Sequence, residues 1–261
     1  MKLAFTKVEG LGNDFLLLDL REHHLPISEL QARAPALCDR RTGVGGDGLL
    51  LVTTPTSPHA RATMIVVNFD GSRPEMCGNG LRCVALYLAD QPGDFIVDTD
   101  SGPRPCRVHT REETSGSVEV DMGLARLLGP RRVGEHDFTA VSVGNPHAVA
   151  FVDEDPERLA RRYGPTVERD AQFPERTNVE FARVEHGGSL TLWVWERGCG
   201  ITAACGTGAC ATVAAAVDRG LVPVDTPVTV QLPGGRLAVR WRDGRVFMTG
   251  PARLVYRGAL L

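Results

Sequence analysis

The hydrophobic pattern changes period repeatedly along this chain, and each change marks an element. Apolar runs at 3–8, 15–20, 49–53 and 62–69 predict strands. Residues 28–38 carry apolar positions at helical spacing, and Ser28 is the expected cap. Leu81, Val84, Ala85 and Leu88 follow the i, i+3, i+4, i+7 spacing of a second helix. Short strands are expected at 95–98, 106–110 and 118–122, and Gly129-Pro130-Arg131-Arg132 has the composition of a linker. The pattern then begins again. A helix-like stretch at 155–163 answers the one at 28–38, and Cys210, Val213, Ala214 and Val217 repeat the spacing of the second helix. Strands at 228–232, 236–241 and 246–248 match the three that follow the first central helix.

Repeats of this length are duplicated domains rather than a solenoid. The expected fold class is therefore α+β, with two pseudo-symmetric lobes, each a largely antiparallel sheet or barrel around a central helix. The lobes are expected at 1–128 and 129–261, with the last ~10 residues candidates to cross back to the first lobe. A cleft between such lobes is the natural place for a ligand.

Both central helices open on the same unit. Met76-Cys77-Gly78-Asn79-Gly80-Leu81-Arg82-Cys83 follows Glu75 in the first half, and Ala203-Ala204-Cys205-Gly206-Thr207-Gly208-Ala209-Cys210 stands in the second. A cysteine at a helix start is activated by the unpaired N–H groups and the dipole there, and flanking glycines let an anionic group approach the backbone. Two such thiols on opposite faces of a stereocentre bearing hydrogen suit a proton transfer in which one is base and the other acid. Helix N-termini suit the carboxylate on which charge develops. Cys83 and Cys210 fall on apolar stretches inside the helices and read as core, as do Cys38, Cys106 and Cys199.

Other features remove classes of function. With 261 residues, 43% hydrophobic, 23% charged and a net charge of −3, the chain offers no electrostatic reason for nucleic acid or an anionic membrane as partner. No apolar run nears ~18 residues and no secretory pattern opens the sequence, so a cytoplasmic protein is expected. An odd cysteine count, seven, in a chain of this size favours thiols over staples. Neither cysteine motif has the spacing of a zinc knuckle, so no metal is expected. Lys2 and Lys7 are the only lysines, which leaves a Schiff-base cofactor such as pyridoxal phosphate almost no anchor. Gly43-Val44-Gly45-Gly46-Asp47-Gly48 has the letters of a dinucleotide fingerprint but lies between a helix and a strand, the reverse of the required order. It reads as a loop lining another site.

These motifs and several around them resemble the diaminopimelate epimerases. The residues that carry the likeness are Gly10-Leu11-Gly12-Asn13-Asp14-Phe15, Asn68-Phe69-Asp70-Gly71-Ser72, the two cysteine units, Gly144-Asn145-Pro146-His147, Asn178-Val179-Glu180 and Glu196-Arg197-Gly198-Cys199-Gly200. The likeness runs from Lys7 to about Gly250 in the family's order. It implies a cofactor-independent isomerase that interconverts LL- and meso-diaminopimelate for lysine and peptidoglycan synthesis, acting as a cytoplasmic homodimer on a small amino-acid substrate. Carried over, Cys77 and Cys205 are the acid/base pair, with Cys205 the acceptor and Cys77 the donor from LL to meso. His147 and Glu196 adjust the thiols' protonation. Asn13, Asn68, Asn145 and Asn178 are ligands for the substrate's polar groups. Gly78 and Asn79 with Gly206 and Thr207 hold the reacting carboxylate, and Glu196 with Arg197 contacts the distal end. Two positions depart from the family's pattern: Gly48 replaces a substrate-contacting glutamine of some members, and Ile201 replaces an acid.

Competing readings stand beside this one. A proline or hydroxyproline racemase would keep both cysteines over a smaller pocket, whereas a phenazine-type isomerase would lack them. A non-catalytic binding or redox protein would use the two thiols as a reversible disulfide. Taken alone, His147 is a packed or solvated histidine, Glu196 an exposed strand end, the four asparagines turn formers, and the arginine runs at 40–41, 131–132 and 161–162 solvated surface.

Overall fold

The structure, a computed structural model, describes residues 3–23, 25–74 and 76–260. Glu75, which precedes the first cysteine motif, lies outside the described residues. The chain divides into two compact units, one of Met1–Val120 with Gly250–Leu261 and the other of Asp121–Thr249. Along the first run β1 (Leu3–Gly10), β2 (Asn13–Asp19), α1 (Ile27–Cys38), β3 (Gly48–Thr53), β4 (Ala60–Asn68), α2 (Gly78–Leu88), β5 (Gly93–Asp98), β6 (Arg104–Arg111) and β7 (Ser115–Leu124). Then come β8 (Arg126–Val133), β9 (His136–Ser142), β10 (Pro146–Phe151), α3 (Pro156–Glu168), β11 (Asn178–Val184), β12 (Leu190–Glu196), β13 (Gly200–Ile201), α4 (Gly206–Asp218), β14 (Val228–Leu232), β15 (Gly235–Arg242) and β16 (Arg245–Leu260).

In the first unit hydrogen bonding passes from β1 through β2, β3, β4, β5, β6 and β7 to β16, and β16 pairs back with β1. Eight strands thereby close a barrel, which removes the open edges a sheet would otherwise present. The second unit repeats the order, with β8, β9, β10, β11, β12, β14, β15 and β16 as successive neighbours. Most pairs are antiparallel, but β2–β3, β4–β5, β10–β11 and β12–β14 are parallel. Each parallel pair brackets one helix, because parallel neighbours need a crossover connection. The units therefore share the path strand, outer helix, two strands, central helix, strand.

Burial explains why two kinds of helix arise. Leu49, Leu50, Leu51 and Val52 of β3 and Met64 to Val67 of β4 are all buried, as strands covered on both faces must be. On one face α1 sets Leu30, Ala34 and Cys38 against Leu16, Leu18, Leu49, Leu51, Ile65 and Val67. The other face meets α2, which packs against β1, β2, β3, β4 and β6. Helix α2 is consequently buried on nearly every side, including the wholly inaccessible Arg82. Helix α4 fills the same role against β9, β10, β11 and β15, while α3 covers β11 and β12 from outside.

Three details differ from the sequence-based expectation. Ser28 does not cap α1: the helix starts at Ile27, and Pro26 holds the cap position at φ −62° without a side-chain bond. Residues 129–132 are not a linker but part of β8, paired with β9. Gly129, at φ 87°, sits where the register shifts, so the glycine and proline mark a bulge rather than a break. Cys199 is exposed rather than core, because the turn between Glu196 and Gly200 runs through glycines at positive φ and carries its side chain outward.

At Gly48 the fold itself requires glycine. A Cβ there would lie 2.4 Å from the Val67 carbonyl oxygen across the β3–β4 pairing. Gly48→Ala is expected to lower stability by about 1–3 kcal/mol, the usual cost of overpacking, read as a lower urea midpoint with an unchanged slope.

Candidate active site

Each unit builds its own thiol site on the same plan. In the first, Cys77 is the N-cap of α2 and receives the Gly80 N–H on Sγ at 3.4 Å. The thiol donates toward Asn13 Oδ1 at 3.9 Å, and Asn79 Nδ2 donates to the same oxygen at 3.3 Å. Which way the Asn13 amide faces follows from chemistry: its Nδ2 donates at 2.7 Å to Asp47 Oδ2, and an ionised carboxylate only accepts. The glycine-rich loop thus has a defined task, which is to carry Asp47 to Asn13. Asp47 Oδ2 also receives the Asp14 N–H at 3.0 Å, and the Asp47 N–H donates to the Asp14 carbonyl at 2.7 Å. Arg40, from a run read as surface, bridges Asp14 and Asp47 at 2.5 and 2.8 Å, and buried Lys7 pairs with Asp14 and the Gly45 carbonyl. Burial alone would raise the Asp14 carboxyl, but its bonds from Arg40 and Lys7 outweigh that and hold it low.

Beneath this site Arg82 donates to Asn79 Oδ1 at 3.0 Å and to the Pro251 carbonyl at 3.2 Å. Asn68 belongs to the turn after β4: its amide donates to Ser72 Oγ at 2.9 Å, and its backbone lies opposite Gly48.

In the second unit Cys205 is the N-cap of α4, and the Gly208 N–H donates to Sγ at 3.4 Å. From Thr207 Oγ1, 3.6 Å from Sγ, a line of polar contacts leads inward. Asn145 Nδ2 donates to Thr207 Oγ1 at 3.4 Å, Asn145 Oδ1 faces His147 Nε2 at 2.9 Å, and His147 Nδ1 meets Glu180 Oε1 at 2.7 Å. His147 is 1% exposed and Glu180 not at all. Glu196 accepts from the Thr202 hydroxyl and lies near Cys205. Burial raises its carboxyl, offset in part by the Thr202 hydroxyl, His147 and Cys205. Burial, with the Glu196 and Glu180 carboxylates nearby, likewise pushes the Cys205 thiol well up, so the protein alone holds it protonated.

The turn beyond Glu196 is pinned from two sides. Asn178 donates through Nδ2 to the Pro146 carbonyl at 2.9 Å and accepts the Arg197 N–H on Oδ1 at 3.0 Å. Glu168, at the end of α3, accepts from Trp195 Nε1 at 2.8 Å and the Gly198 N–H at 3.0 Å. Arg197 itself reaches the Glu175 carbonyl at 3.0 Å. Ile201 pairs opposite Trp195 and packs on the α3-side core, so the missing acid is replaced by an apolar contact. Cys83 and Cys210 are fully buried, and Cys38 and Cys106 nearly so. Burial pushes the Cys83 thiol up to about 12 and that of Cys38 to about 11, which leaves both inert as nucleophiles at neutral pH.

Three groups that shape the site were missed from the sequence. Asp47 was hidden inside a glycine motif, Glu168 gave no signal, and Glu180 was visible only as the last letter of Asn178-Val179-Glu180. Glu180 also yields a test of its charge. Burial raises its carboxyl above the unfolded value, with His147 and the Ala148 N–H opposing. The native state therefore binds more protons than the unfolded one just above the ordinary carboxyl range, and stability falls as pH rises through that window. Relative to wild type, Glu180→Gln is expected to be more favourable at pH 7 than at pH 4, measured by urea unfolding at both. An equal difference at the two values would show that the carboxyl is not raised.

A family model described as Diaminopimelate epimerase matches residues 5–128 and 139–255. A diaminopimelate epimerase of Geobacillus kaustophilus is 44% identical over 98% of this chain and 95% of its own length. Among solved structures, a predicted epimerase from Pseudomonas aeruginosa superposes with a TM-score of 0.77 at 18% identity, covering 99% of both chains. A hydroxyproline epimerase from Agrobacterium vitis, solved with trans-4-hydroxy-L-proline, gives 0.74 at 15% identity over 99% of this chain and 91% of that one. At such identities the two structures share the fold with this chain.

Proposed function

Because this chain belongs to the diaminopimelate epimerase family, we propose that it is an isomerase interconverting LL- and meso-2,6-diaminopimelate. The observation that carries the reading at the level of chemistry is the pair of cysteines, each the N-cap of a buried helix whose third residue donates its N–H to the thiol sulfur. From LL to meso, Cys205 as thiolate takes the Cα proton and Cys77 as thiol delivers a proton to the opposite face. Their roles reverse in the other direction. The N-terminal amides of α2 and α4, at Gly78-Asn79 and Gly206-Thr207, hold the α-carboxylate and the charge that spreads onto it.

The surroundings of the two thiols support this division of labour. Cys77 faces an acceptor, Asn13 Oδ1, which favours its protonated form. Cys205, held as a thiol by burial and by the Glu196 and Glu180 carboxylates, becomes the base by passing its proton to Glu196, whose own carboxyl burial raises, with Thr207 donating to the sulfur left behind. Asn68, Asn145, Asn178 and Arg197 are assigned to the substrate's remaining polar groups. The reaction needs no metal and no cofactor, and the enzyme works as a homodimer in the cytoplasm.

The test is NMR in D2O of LL-diaminopimelate with reduced enzyme and no added cofactor, beside samples with proline, hydroxyproline and lysine. Deuterium at Cα together with meso product is the expected result. Exchange confined to the proline compounds would move the assignment to a racemase, and exchange with none of them would leave a binding or redox protein.

A further inference from the structure

His147 is sealed against a buried acid, Glu180, that the proposed mechanism does not use. Glu180 lies on β11, opposite Val149 and two residues from His147's own partner Asn178, so the parallel β10–β11 register sets the two side chains on the same face of adjacent strands. Its Oε1 reaches Nδ1 at 2.7 Å, and its Oε2 is buried with no hydrogen-bond partner among the described residues. The same carboxylate crowds α4, where a Cβ on Gly208 would lie 2.9 Å from Oε1. With one oxygen on the ring and the other unpartnered, the imidazole is this carboxyl's one side-chain hydrogen-bond partner among the described residues.

We propose that Glu180 is a positioning residue whose shared proton with His147 sets the direction of the hydrogen-bond chain ending at Cys205. The inference rests on the two-thiol reading above and adds a residue to it. The Glu180–His147 pair has two states that set opposite directions along the chain. With one proton between Oε1 and Nδ1 and another on Nε2, Nε2–H donates to Asn145 Oδ1. Asn145 Nδ2 then donates to Thr207, whose hydroxyl hydrogen is left to donate to the Cys205 thiolate. Remove one proton, and Nδ1–H donates to the Glu180 carboxylate while Nε2 carries a lone pair. The Asn145 amide must then turn over to donate to Nε2, its oxygen accepts from Thr207, and Thr207 can only accept from a Cys205 thiol. The first state supports the thiolate and the second the thiol.

The polar chain described here has the directions of the first state, with Oδ1 toward Nε2 and Nδ2 toward Thr207, while Cys205 itself is held as a thiol until its proton leaves. Burial of Glu180 favours the same state, since it disfavours the ionised carboxylate and so retains the extra proton on the pair. Glu196, on β12, is the other carboxylate facing Cys205, and it acts on the sulfur directly. Glu180 touches neither the sulfur in the described contacts nor, on this assignment, the substrate.

The experiment compares wild type, Glu180→Gln, His147→Gln, the double variant and Thr207→Val. Nitrogen-15 NMR of histidine-labelled protein, with the His147 signals assigned by their loss in His147→Gln, reads the ring's protonation. Wild type is expected to carry a proton on Nε2 at neutral pH. In Glu180→Gln the amide carbonyl accepts from Nδ1–H without sharing a proton, so Nε2 is expected to be bare. The kcat of Glu180→Gln is expected to fall by about tenfold to hundredfold with KM within about twofold, and kcat/KM by one factor in both directions, as a fixed equilibrium requires. In the His147→Gln background Glu180→Gln should bring no further loss. Thr207→Val cuts the last link, so it should lower kcat similarly while leaving Nε2 protonated. A protonated Nε2 in Glu180→Gln, losses that multiply in the double variant, or wild-type kcat in Thr207→Val would each overturn the proposal. If wild type epimerises nothing, the functional reading fails, while the NMR comparison still decides whether Glu180 governs the ring.

Discussion

Replacing either Cys77 or Cys205 with alanine is expected to lower the rate of meso product formation from LL-diaminopimelate by about a thousandfold to ten-thousandfold. General acid–base groups contribute ~10²–10⁴ each, and a two-base reaction has no substitute for either member. The two variants should nonetheless fold. Cys77 is half-buried and Cys205 buried at helix caps, and what alanine omits at each is long contacts to sulfur, among them the Gly80 and Gly208 N–H groups at 3.4 Å. Their failure should differ in kind. Cys77→Ala retains the base for the LL face, so slow Cα deuteration with retained configuration can survive, whereas Cys205→Ala loses that step. Both are measured by NMR in D2O on substrate of defined configuration. Near-wild-type kcat in either variant would remove that cysteine from the chemistry.

The largest loss of stability is expected at Phe181, on the strand that also carries Glu180. Its ring is fully buried and meets Phe138, His136 and Tyr163 at centroid distances of 5.6, 5.3 and 6.5 Å. It also belongs to the apolar cluster under α3 with Leu159, Ala160, Val167 and Val179. Phe181→Ala removes that area from the core and opens a cavity walled by rigid rings that cannot close in, so a cost of about 3–5 kcal/mol is expected. Chemical denaturation gives the number. A cost under about 1 kcal/mol would mean that the cluster relaxes into the space. Activity is a second readout, because a shift of β11 displaces Glu180 from Nδ1 and with it the contacts that lead to Cys205.

Much of this protein was legible as pattern. The two cysteine units at helix heads are local facts, since cap position and glycine spacing are set within a few residues, and both thiols do cap their helices. The duplication was legible too, because the same order of periods occurs twice and each parallel strand pair needs its helix. Local composition misled where a neighbour decides. Gly129 and Pro130 read as a linker until β9 supplies a partner across a bulge, and Ser28 read as a cap although Pro26 occupies that place.

What the sequence by itself determined was which residues alternate, not what each face meets. Asn178-Val179-Glu180-Phe181 alternates polar and apolar, which in an isolated strand means that Glu180 faces water. In the fold the apolar face is covered by α3 and the polar face turns inward toward α4, so Glu180 is sealed against His147. The same holds for Asp47, whose role exists only because a loop between α1 and β3 returns to Asn13. Alternation is set by the two-residue repeat of extended backbone. Which face is interior depends on long-range packing, and that is what turned an ordinary strand glutamate into a buried acid beside the thiol's hydrogen-bond chain.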